Sequence, residues 1–275
     1  MTDVQKNQLS IDRSHPGIWI VSISNPPINM VDEETIEELH RLIPLIEQEE
    51  SLKVVIFESA DPDFFFAHYD TSRTKQSRGN TGPTSDRPWT DFVLRLARAS
   101  VVSIAKVAGR ARGVGNEFIL ACDLRFASKE RAIFGQPELG VGLIPGGGSV
   151  EWLPRLVGRS RAIEIILSAD DFDATTAEAY GMINRAIKDA ELDAYVKALA
   201  LRIASFDKQA LAAVKGLLNR TGTPEGDEFA ASNRIFLEST TWPGAKTRQA
   251  KLHQLGFGQR TEFELNFGEA LRRLG

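Results

Sequence analysis

The chain has 275 residues and a net charge of −4, enough for a sizeable core in one large domain or a domain plus an appendage. Hydrophobic residues make up 42% and charged residues 25%, the balance of an ordinary globular protein. Lys and Arg are scattered rather than gathered into a nucleic-acid-binding patch, and no run of about 20 apolar residues offers a membrane span. Cys122 is the only cysteine, so no intrachain disulfide is possible. The N-terminus, MTDVQKNQLSIDRS, is polar and reads without a signal peptide. Both features suit a cytoplasmic protein with neither a membrane nor a nucleic acid as partner.

In chain order, residues 17–24 (GIWIVSIS) read as a strand that ends at the breaker Asn25-Pro26-Pro27. Residues 33–48 carry Ile36, Leu39, Ile43 and Ile46 at helical spacing, with Asp32 at the N-cap and Pro44 as a bend or early stop. Lys53–Ser59 and Val101–Ala108 read as buried strands. Residues 71–88 contain no aliphatic side chain, which predicts a mobile surface loop, either a connector or an active-site cover. After residue 188 the pattern is helical throughout, near 190–205, 207–219, 225–239, 245–254 and 261–273. Mixed strands and helices followed by helices alone predict an α/β core with a helical appendage.

Several chemistries find no motif. The Gly146-Gly147-Gly148 run lacks the lysine of a phosphate loop, no G-x-G-x-x-G fingerprint occurs, and no G-x-S-x-G elbow is present. The four histidines are far apart without ligand spacing, so no metal site is expected. Three segments remain. Phe64–Asp70 is an apolar run entering a polar turn after a strand. Gly109–Glu117 is a glycine-rich turn opening a helix, where unpaired backbone N–H groups can receive developing negative charge. Phe134–Gly148 sets one carboxylate between a proline and a glycine. On these residues alone, Glu117 is either a functional carboxylate or a solvated helix-start glutamate. Glu138 is either functional or an ordinary loop carboxylate, and nothing yet brings the two together.

The three segments resemble the enoyl-CoA hydratase/isomerase (crotonase) family. Asn25-Pro26-Pro27-Ile28-Asn29 is similar to its early NPP-x-N turn. Gly109–Asp123 is similar to its glycine-rich loop and glutamate, and Phe134–Gly148 to its FGQPE and IP-G stretch. Trp152–Gly158 and Ala177–Asn184 match two further stretches, so the likeness covers about residues 17–220. It implies an α/β spiral of repeated β-β-α units over residues 1–205. Residues 206–275 would then form a helical trimerisation region, giving a homotrimer or a dimer of trimers. It also implies an acyl-CoA thioester substrate, with coenzyme A as part of that substrate and no permanently bound cofactor. By position, the backbone N–H groups of Tyr69 and Val114 would form the oxyanion hole, and Glu117 and Glu138 would be the catalytic acid–base pair. Ile28, Met30, Ala67, His68, Asp70, Gly113, Pro137 and Gly146 would line the substrate site.

Two glutamates favour hydration of a 2-enoyl-CoA, since members that only shift a double bond manage with one. The alternative is another reaction of this fold (isomerase, decarboxylase, hydrolase or C–C lyase) on a polar or aromatic acyl group. That alternative is motivated by Ala67-His68-Tyr69-Asp70, where the family usually has Ala-Gly-Ala-Asp. Val114 stands where the second loop usually has the middle of three glycines, so its φ must be negative or the loop must differ. The chain beyond Thr241 departs from the usual ending.

Overall fold

The computed structural model describes residues 7–71 and 88–274, so the expected loop over 71–88 lies almost wholly outside the described residues. In chain order the strands are β1 (Leu9–His15), β2 (Ile18–Ile23), β3 (Val54–Ser59), β4 (Phe64–Phe66), β5 (Val102–Val107), β6 (Arg110–Arg112), β7 (Leu124–Ser128), β8 (Ile133–Gly135), β9 (Asp171–Asp173) and β10 (Arg185–Ile187). One sheet runs β1-β2-β3-β5-β7-β10, antiparallel only at β1–β2. The other runs β4-β6-β8-β9, antiparallel only at β8–β9. The pairs β3/β4, β5/β6 and β7/β8 therefore each give one strand to each sheet in the same spatial order. That is the spiral of β-β-α repeats the resemblance implied. The inner parallel strand β3 is buried from Val54 to Phe57, which is why it reads as an unbroken apolar run.

The helices are α1 (Glu33–Gln48), α2 (Pro88–Arg98), α3 (Val114–Ala121), α4 (Ser149–Val157), α5 (Arg159–Ser168), α6 (Ala174–Tyr180), α7 (Asp189–Ala204), α8 (Lys208–Gly222), α9 (Gly226–Ser239), α10 (Pro243–Gln254), α11 (Glu262–Leu265) and α12 (Phe267–Arg272). A 3-10 turn spans Pro137–Val141. Asp32 caps α1 in a reciprocal box with Thr35. The helix runs on through Pro44, because Leu42, Ile43 and Ile46 are buried and outweigh one lost backbone bond. The helix expected over 261–273 is instead two short pieces parted at Asn266.

The main core lies under α1, α2, α3 and α4, and α3 is buried along its whole length. A separate apolar cluster joins Val141 and Leu143, just after the 3-10 turn's glutamate, to Ala245, Leu252, Phe267 and Leu271 of the C-terminal helices. After residue 205, Phe229 is buried, while the apolar side chains Val214, Leu217, Leu218, Ile235 and Leu237 are exposed. Among the described residues no helix is long and apolar enough to cross a membrane.

Candidate active site

Glu117 stands in the first turn of α3, one turn beyond Gly113, whose carbonyl accepts from the Glu117 N–H at 2.9 Å. It is only 3% exposed, which rules out the solvated helix-start reading. Its Oε1 accepts from the Gly147 N–H at 2.9 Å, the Ser149 N–H at 3.2 Å and the Ser149 hydroxyl at 3.2 Å. The Pro-Gly-Gly-Gly run that failed as a phosphate loop thus wraps a carboxylate. Burial raises the Glu117 pKa, and the donors from Gly147 and Ser149 offset only part of that rise.

Glu138 is the second residue of the 3-10 turn, held from behind by Gln136. The Gln136 amide donates to both carboxylate oxygens at 3.0 Å, and its own oxygen accepts from Asn116 at 2.9 Å. Burial and then the charge of Glu117 push Glu138 up to about 8. The two carboxylates that sequence spacing left apart therefore sense each other. Gly113 lets the Glu138 carboxylate come close to the start of α3, since a Cβ there would lie 2.9 Å from Glu138 Oε1. Gly113 also carries the positive φ, +52°, so Val114 starts α3 with ordinary helical backbone and the loop is not strained at a β-branched residue. As the first residue of α3, Val114 has an N–H with no acceptor inside the helix.

Tyr69 forms a parallel bridge with Val31. The Val31 N–H donates to the His68 carbonyl at 2.9 Å, and the Asp70 N–H donates to the Val31 carbonyl at 2.9 Å. In a trans peptide the N–H points opposite the carbonyl, so the Tyr69 N–H points away from Val31, toward the β6 side of the sheet. The first turn of α3 packs tightly there: a Cβ on Gly115 would fall 2.5 Å from the Phe66 carbonyl. The Tyr69 hydroxyl donates to Glu33 Oε1 at 3.0 Å. His68 is buried, with its Nε2 2.9 Å from Glu264 Oε1 and its ring stacked on Phe257.

Of the other expected lining residues, Ile28 and Ala67 are fully buried in one small cluster with Phe64, and Met30 packs against it. Asn29 ties that turn to β3 and β4 through Ser59 and the Phe64 carbonyl. Pro137 opens the 3-10 turn, and Asp70 is buried. Gly146 faces Phe236 of α9, closer to a packing contact than to the carboxylates.

Residue-by-residue reading missed four contributors. Gln136 lies inside the FGQPE run, where its position two residues before Glu138 was the available signal. Ser149 and Gly147 sit in the glycine run. Glu151 is a further buried carboxylate, pushed up to about 7 by burial, with Ser232 opposing and the Glu117 charge adding.

The fold is a spiral of β-β-α repeats that brings Glu117 and Glu138 close enough to sense each other. A profile of the enoyl-CoA hydratase/isomerase family matches residues 13–249, and the chain belongs to that family. It is 35% identical over 256 residues to a probable mitochondrial enoyl-CoA hydratase 2 of Arabidopsis thaliana, covering 92% of this chain and 81% of that one. It is 33% identical over 204 residues to the short-chain-enoyl-CoA hydratase of Clostridium acetobutylicum, covering 74% of this chain and 78% of that protein. Among solved structures it is similar to a putative enoyl-CoA hydratase from Streptomyces avermitilis, with a TM-score of 0.92, 38% identity and complete coverage of both chains.

Proposed function

We propose that the protein hydrates a 2-enoyl-CoA thioester, using Glu117 and Glu138 on one water molecule. The observation that carries this reading is the unequal pair of carboxylates. Glu138, pushed up to about 8, holds a proton at neutral pH, whereas Glu117, though burial raises its pKa as well, has three donors on one oxygen that offset part of that rise. Glu117 is suited to take a proton from water as the water oxygen bonds to the β-carbon. Glu138 is suited to deliver a proton to the α-carbon. Between these events negative charge collects on the thioester oxygen, and the N–H groups of Tyr69 and Val114 are suited to receive it. The direction of the Tyr69 N–H and the place of Val114 at a helix start support that role. No resident cofactor is needed, because coenzyme A arrives with the substrate.

The exposed apolar side chains of α8 and α9 support an oligomerisation role for the region after residue 205, giving a homotrimer or a dimer of trimers. The test of function is loss of the enoyl-thioester absorbance on adding enzyme, with mass-spectrometric identification of the 3-hydroxyacyl product. A product of unchanged mass would make the protein an isomerase instead, and no turnover across a panel of acyl-CoA thioesters would defeat the reading.

A further inference from the structure

His68 stands where the family usually has glycine, and its side chain is fully committed. Its Nδ1 lies 3.2 Å from the carbonyl oxygen of Tyr69, and its Nε2 lies 2.9 Å from Glu264 Oε1. A carbonyl oxygen can only accept, so Nδ1 carries a hydrogen. Glu264 Oε1 also accepts from the Gly258 N–H at 2.7 Å. Both side chains of the pair are buried. Burial raises the Glu264 pKa, but the charge and hydrogen bond of His68, the Gly258 N–H and the charge of Arg112 outweigh it and hold the carboxyl below its usual range. Arg112 faces the pair from β6, donating to the Glu264 carbonyl at 2.7 Å and to both oxygens of Asp171 at 2.7 Å. Phe257 stacks on the imidazole at 4.1 Å between ring centres.

The Tyr69 carbonyl held by His68 belongs to the peptide just after the proposed oxyanion donor, and it points away from Val31, as the Tyr69 N–H does. We infer that the His68–Glu264 pair is a positioning device that fixes the direction of the Tyr69 N–H by gripping the Tyr69 carbonyl from the C-terminal segment. The inference rests on the oxyanion role proposed for Tyr69. Without the grip, the peptide after Tyr69 loses a hold on the side opposite Val31, and the Tyr69 N–H direction can tilt. A tilt weakens a hydrogen bond made to a developing charge far more than it weakens binding of the rest of a large thioester.

The probe is cinnamoyl-CoA, whose ultraviolet band moves to longer wavelength when its carbonyl is polarised. The native protein should red-shift the bound probe. Glu264→Gln and His68→Gln should each lose at least half of that shift. They should also lower kcat about 10- to 100-fold while KM stays within about threefold. Phe257→Leu removes the stacked ring and neither hydrogen bond. It should lower Tm yet keep the red shift, which separates positioning from packing. Thermal unfolding checks that each protein is folded, and either of the two polar variants alone suffices. No red shift in the native protein would defeat the oxyanion role itself. A native shift retained in both polar variants, or lost equally in Phe257→Leu, would overturn the positioning inference and leave that role standing.

Discussion

Gly147→Ala should disable the enzyme without unfolding it. The Gly147 N–H donates to Glu117 Oε1, while its carbonyl accepts from the Trp89 indole at 3.0 Å, so this peptide is pinned on both sides. A Cβ at residue 147 would lie 2.2 Å from Glu117 Oε2 and 2.9 Å from Trp89 Nε1. Restoring ordinary contact requires the carboxylate to retreat by roughly 1 Å. Glu117 cannot make that move and keep its bonds to Gly147 and Ser149. A misplacement of this size in a catalytic group costs about 100-fold in rate. The expected result is a fall in kcat of about that size on a short enoyl-CoA, followed by loss of the enoyl-thioester absorbance, with a circular dichroism spectrum like the native one. Gly244→Ala is the control, since a Cβ there meets nothing within 4 Å and the site is an exposed helix start. Near-native turnover by Gly147→Ala would refute the claim that the glycine run fixes a working Glu117.

Glu138→Gln should lower kcat by about 10²- to 10⁴-fold with KM little changed, read in the same assay. In the native protein, activity should fall as pH rises through about 8, where Glu138 loses its proton. Glu117→Gln should bring that loss of the Glu138 proton to lower pH, measured by titrating the variant with infrared detection of the carboxyl. Stability should respond as well. Glu138 binds its proton more tightly folded, near 8, than at its ordinary 4.5, so its contribution is fully present below 4.5 and is lost as pH rises through 8. The Tm difference between Glu138→Gln and native protein should therefore be more favourable to the variant at pH 8.5 than at pH 5, by differential scanning calorimetry. Phe267→Ala empties a fully buried site in the C-terminal cluster. It should cost about 3–5 kcal/mol in urea unfolding.

The repeat of strand and helix was legible because parallel strands buried on both faces and amphipathic helices leave distinct apolar patterns. The helices from α7 to α10 fall within three residues of their expected bounds for that reason. The segment at 261–273 misled because its apolar spacing continues across Asn266, where the backbone leaves the helix to bring Glu264 and Phe267 inward. Glu117 and Glu138 could be nominated from glycine-rich context alone, but their pairing could not. It depends on Gly113 allowing the 3-10 turn to approach α3, a contact with no periodic signature. His68 is the clearest limit. Its partner is 196 residues away, and Glu264 reads in sequence as one more solvated helix glutamate.

Two of the departures from the family pattern turn out to be one structural feature. The first is a histidine in the segment that usually carries glycine, and the second is the ending after Thr241. A glycine at 68 would take from the buried Glu264 carboxylate its side-chain partner, leaving the Gly258 N–H and the more distant Arg112 to hold it. Conversely, a histidine at 68 without Glu264 would bury its Nε2 without a polar partner. Each change is tolerable only with the other. Their junction lies beside the peptide proposed to receive the negative charge, and the same C-terminal segment also packs Phe267 and Leu271 against Val141 and Leu143, just beyond Glu138. One segment therefore braces both the carboxylate turn and the strand opposite it. A side chain that sequence comparison marks as a substrate contact is instead occupied, on both ring nitrogens, by the protein's own chain.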